Sequence, residues 1–135
     1  MDDAARHEFD ALVETQLAEL PYTVQLLLQE TPLLVEDHPS EALLAELGLS
    51  PEQSDELCGV YSGIGMLERS VEDSFTEPET ITIFRHGIHA LALSQVEGDD
   101  TLEKLLMKEI RITILHEIGH HFGLDEDDLE AIGYA

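Results

Sequence analysis

A chain of 135 residues is enough for one domain, expected over residues 1–135, that buries about two thirds of its unfolded surface and folds without disulfides. Six Lys and Arg stand against 30 Asp and Glu, a formal charge of −24. A field of that sign repels phosphate backbones and anionic headgroups, which argues against nucleic acid and membrane as partners. The acids are spread along the whole chain, so they describe a solvated surface before they describe a lure for basic peptides. Cys58 is the only cysteine; it excludes an intrachain disulfide and suits a small core residue better than a nucleophile. The start, MDDAARHEFD, has neither a basic leader segment nor an apolar one, and no run approaches the roughly 18 apolar residues of a membrane span. A soluble cytoplasmic protein is the expectation, with its oligomeric state left open.

From Asp2 to Leu20 the apolar residues Phe9, Leu12, Val13, Leu17 and Leu20 recur three and four apart, the pattern of an amphipathic helix ended by Pro21. Tyr22 to Gln29 is open between a short helix and a loop. Pro32 to Asp37 predicts a buried strand closed by His38-Pro39, and Ser40 to Leu47 a short helix capped by Ser40 and stopped by Gly48. Cys58 to Glu68 holds Gly59, Gly63 and Gly65 among apolar residues. It predicts a strand or irregular edge where the backbone approaches something closely, with packing relief favoured over a substrate groove as the glycines' role. Ser70 to Thr80 is acidic and aperiodic, a surface loop.

Thr80 to Arg85, TITIFR, is the clearest strand, and a place at the sheet edge beside the long helix would let it pair with an extended peptide. His86 and His89 read as exposed loop histidines, a second metal site being the alternative. Ile88 to Val96 is ambiguous between strand and helix, and Glu97 to Asp100 is a turn before a Thr101 cap. Leu105, Leu106, Glu109, Ile110, Thr113, Ile114 and Glu117 then mark one long helix from Leu102 to Phe122. Gly123 ends it, and a last short helix runs through Ile132.

That long helix carries His116-Glu117-Ile118-Gly119-His120, an H-E-x-x-H. Residues four apart on a helix lie one above the other, so two imidazoles can share one zinc ion while Glu117 flanks it. Zinc lowers the pKa of its bound water to about 7, and Glu117 is placed to take the proton. Gly123 and Glu126, seven and ten residues after His116, extend the match. Glu126 is the first choice for the third ligand because it follows a glycine reversal, with Asp127, Asp125 and Glu130 as alternatives. His121 points away round the helix and suits a core or supporting place. For oxyanion stabilisation Tyr61, Tyr134 and Arg69 are all candidates.

The segments VEDHP (Val35 to Pro39), CGVYSGIGMLERS (Cys58 to Ser70), ITIFR (Ile81 to Arg85) and EIRITILHEIGHHFGLDEDDL (Glu109 to Leu129) together resemble the small bacterial zincin-like metallopeptidases, sometimes called minimal metalloproteases. The resemblance covers nearly the whole chain from about Phe9. It implies a compact α+β zincin-like domain, a small mixed β-sheet packed with an N-terminal helix and a long metal-binding helix. It also implies the H-E-x-x-H-x-x-G-x-x-D zinc site, with His116 and His120 as ligands, Glu117 as general base and position 126 as third ligand. This chain departs from that pattern in having Glu126 in place of aspartate. The expected function is a zinc-dependent metallopeptidase acting on a peptide or protein substrate, Glu117 activating a zinc-bound water. The alternative is a metal-binding acidic interaction protein with a structural or weakly catalytic zinc site.

Overall fold

Asp2 sets the start of helix α1 (Asp3–Glu19): its side chain accepts a hydrogen bond from the Ala5 N–H at 2.8 Å. Phe9, Val13 and Leu20 are buried and Leu12 and Leu17 half-buried, so the apolar stripe faces the core as its spacing predicts. Pro21 turns the chain directly into helix α2 (Tyr22–Glu30), the segment whose sequence was open between helix and loop. The corner is tight because the Gln25 side-chain amide donates to the Leu20 and Ala18 carbonyls, at 2.9 and 3.3 Å, satisfying acceptors left free at the end of α1.

Strand β1 (Leu33–Glu36) turns Leu33 and Val35 inward and leaves Leu34 and Glu36 exposed. It is therefore half-buried, not the fully buried strand its apolar run predicts, because only one of its faces is covered by helices. Helix α3 (Glu41–Glu46) has the expected Ser40 cap, accepting from the Leu43 N–H at 3.1 Å, and ends at Gly48, whose φ of 73° is costly for any residue with a Cβ. A 3-10 helix (Pro51–Glu56) follows, its entry fixed by the Gln53 side chain accepting from the Ser50 N–H at 2.9 Å.

Strand β2 (Gly59–Ser62) and strand β3 (Thr80–Phe84) complete a mixed sheet in the order β1-β3-β2, with β1 parallel and β2 antiparallel to β3. The register aligns Leu33, Ile81 and Tyr61 in one row and Val35, Ile83 and Gly59 in the next, all on the face turned to the helices. β3 is the central strand, which corrects its expected place at the edge. The physical reason lies in its own residues: Ile81, Thr82, Ile83 and Phe84 are all buried, as only a strand flanked on both sides can be.

Helix α4 (Arg85–Ser94) begins without a linker, so His86 and His89 are helical and half-buried, not loop residues. After a turn with Gly98 at φ 61°, Thr101 accepts from the Lys104 N–H at 3.2 Å and opens helix α5 (Leu102–Phe122). Ile110, Ile114, Leu115 and Ile118 of α5 are fully buried against α1, α4 and the sheet in a single apolar cluster. The architecture is α+β, a small mixed sheet packed with an N-terminal and a long C-terminal helix, as expected. This computed structural model describes residues 1–62 and 79–122; most of the expected surface loop at 70–80, the segment from Gly63 to Glu68 and the expected last helix fall outside the described residues. No described helix is long and apolar enough to cross a membrane.

Candidate active site

Glu109, Thr113 and Glu117 follow one another at intervals of four along α5, and all three are buried although polar. What covers Thr113 and Glu117 is β2. A Cβ on Gly59 would stand 2.8 Å from the Thr113 methyl, 3.2 Å from the Thr82 carbonyl oxygen and 3.3 Å from Glu117 Cγ. The glycine thus lets the strand lie directly on the helix, and the close approach inferred from residue type is an approach to Glu117 itself.

The neighbouring Cys58 thiol is pushed above its ordinary pKa, first by burial and then by the carboxylates of Glu109 and Glu117. It stays protonated at neutral pH, which suits a packed core residue and not a nucleophile. His116, beside Glu117, is exposed. The helix continues through position 120, one turn further on, so the H-E-x-x-H lies on unbroken α-helix, as its spacing requires. Two histidines one turn apart and a carboxylate between them form a nitrogen and oxygen donor set that fits zinc. Glu126, Asp125, Asp127 and Glu130, the residues weighed as third ligand, lie outside the described residues, as do Tyr134 and Arg69.

Tyr61 stands on β2 on the same face as Gly59. Its phenol donates a hydrogen bond to the Glu79 carboxylate; burial first, then this acceptor, raises its pKa. Of the three oxyanion candidates it alone is described, and it is held by Glu79.

A second polar group gathers where β1 and β3 end. Their parallel register pairs Glu36 with Phe84 and, continued one residue, brings Asp37 to Arg85. Arg85 Nη1 donates to Asp37 Oδ1 at 2.9 Å, while Nε and Nη2 donate to the two oxygens of Asp10 on α1 at 3.0 and 2.9 Å. Arg6 reaches Asp37 from the same helix, its Nε lying 2.9 Å from Oδ2. Hydrogen bonding by Arg6, then by Arg85, holds the Asp37 carboxyl down at about 2 despite partial burial.

One residue further, His38 and His86 stack with ring centroids 3.9 Å apart, and His38 Nδ1 lies 3.6 Å from Asp55 of the 3-10 helix. Burial, then the neighbouring His38, lowers the pKa of His86. His89 does not join this group; it lines a cavity of about 460 Å³ between α1 and α5. Sequence reasoning placed His38 only as the end of a strand and did not weigh Asp55 at all. The signal that joins them is strand register, which no local pattern reveals.

Residues 28–134 of the chain match the family model described as zincin-like metallopeptidase. Among curated proteins none matches the chain.

Proposed function

Because the chain belongs to the zincin-like metallopeptidase family, whose members use zinc generally, we propose that it is a zinc-dependent peptidase with its working residues at the C-terminal end of α5. His116, His120 and Glu126 hold the metal, which when bound supplies a Lewis acid that acidifies water and polarises a carbonyl. The Glu117 carboxylate takes one proton from the attacking water as its oxygen bonds to the peptide carbon. It returns that proton to the leaving amine nitrogen as the C–N bond breaks, ending as it began. Packing beneath β2 restricts the Glu117 side chain, so little order is left to acquire when substrate binds.

The substrate is an extended peptide or protein segment. Among the described residues β2 pairs with β3 alone, so its other edge is open to a strand added beside Glu117. This assigns the peptide-pairing role to β2, whereas residue type suggested β3. The observation that carries the proposal is the ligand-base-ligand spacing on α5 with Glu117 buried against an edge strand.

Metal content tests it. Untagged protein is expected to bind zinc at the α5 site and to lose that zinc in a His120→Ala variant. A variant that keeps the parent's full zinc content would remove the metal from this helix and the proposal with it. Zinc retained by the parent with no cleavage of any peptide in a diverse library would favour the acidic interaction protein.

A further inference from the structure

Three segments far apart in the chain meet at one corner of the molecule: the exit from β1, the 3-10 helix and the first turn of α4. His38, Asp55 and His86 each offer one ligand atom there, and the three atoms lie within 4.8 Å of one another. We propose that these residues form a second divalent-metal site, for zinc or a similar first-row transition ion, built independently of α5.

The backbone around the cluster is already fixed. The His86 N–H donates to the Asp37 carbonyl at 3.1 Å, tying the start of α4 to the exit of β1. Gly87 packs against Leu57 so closely that a Cβ would overlap the Leu57 carbonyl, which brings the end of the 3-10 helix onto α4. The Phe84 N–H donates to the Cys58 carbonyl at 2.8 Å and closes the same corner. The ligand side chains keep freedom to adjust, with His38 49% and Asp55 58% exposed.

That freedom is sufficient. Zinc–nitrogen bonds of about 2.0–2.1 Å set ligand atoms about 3.3 Å apart in a tetrahedron, so the site closes by side-chain rotation alone. Two imidazoles and one carboxylate are a donor set that zinc and nickel accept, and three protein ligands leave an outer position for water. Asp37, the nearest other carboxylate, is held by Arg6 and Arg85 and does not compete. An ion bound here binds only the folded chain, since nothing else brings these three residues together, and it therefore stabilises the fold.

The test is equilibrium dialysis of untagged protein against micromolar free zinc, followed by metal analysis. The parent is expected to hold two equivalents, and His86→Ala, Asp55→Ala and His116→Ala one each. Asp55 is exposed, so Asp55→Ala decides the matter if His86→Ala fails to fold. Full parental zinc in both His86→Ala and Asp55→Ala overturns the second site. A single parental equivalent that His86→Ala and Asp55→Ala lose and His116→Ala keeps would uphold this site while sinking the one on α5.

Discussion

His116 and His120 lie one turn apart on a single helix, whereas His38 and His86 belong to segments separated by most of the fold and meet because β1 and β3 run parallel. The first pair depends only on α5 staying helical. The second depends on register: Glu36 faces Phe84, so the residues two beyond each become neighbours, with the Asp37 and Arg85 ion pair between. A site written into one helix survives loosening of the sheet; a site written across strands does not.

The sharpest way to separate the two is to open the corner. In Gly87→Ala the new methyl meets backbone, the Leu57 carbonyl, which has no rotamer to yield. We expect about 3 kcal/mol of lost stability in urea unfolding, and loss of zinc from the corner, with α5 retaining its own. Gly59→Ala is the matching change at the other site. Its first contact is the Thr113 methyl at 2.8 Å, with Thr82 O and Glu117 Cγ beyond 3 Å, so the expected cost is about 1–2 kcal/mol. Its mark would be slower hydrolysis, as Glu117 is pushed from its place. Equal effects of the two substitutions on stability would contradict the contrast.

A smaller effect comes from Asp37→Asn and has a defined pH dependence. The folded carboxyl titrates at about 2 against an ordinary 3.8, so its contribution is complete above about pH 4 and disappears as pH falls through about 2. Allowing for partial exposure, the parent should exceed the variant by about 1–2 kcal/mol at neutral pH. The two unfolding midpoints should converge below pH 2, and a gap that persists there would show that the carboxylate's charge is not what matters.

The smallest effect is expected from Cys58→Ala. With its thiol kept protonated beside Glu109 and Glu117, Cys58 packs and does not react, so hydrolysis should change by no more than about twofold. A hundredfold loss would make the thiol part of the chemistry.

The same contrast explains what could be read from the residues. Helix α1, the Ser40 and Thr101 caps, the Gly48 stop and the whole of α5 were legible because each is settled by contacts within a few residues. The position of β3 was not, since burial on both faces is decided by β1 and β2, and alternation within TITIFR does not report it. The helical state of His86 and His89 was hidden because the strand passes straight into α4 with no turn residues between. Glu117 was identified by spacing alone, but its partner Gly59 was recognisable only as a glycine that must sit close to something. Asp55 carried no local signal, being one of 30 acids in the chain.

The most direct test of the central claim is the Glu117→Gln variant, which preserves shape and removes the proton acceptor. Cleavage of a peptide library and bound zinc would be measured on the same preparation. The account predicts hydrolysis reduced by about 10²–10⁴-fold with the zinc content of α5 unchanged. Cleavage at the parental rate with zinc in place would contradict it.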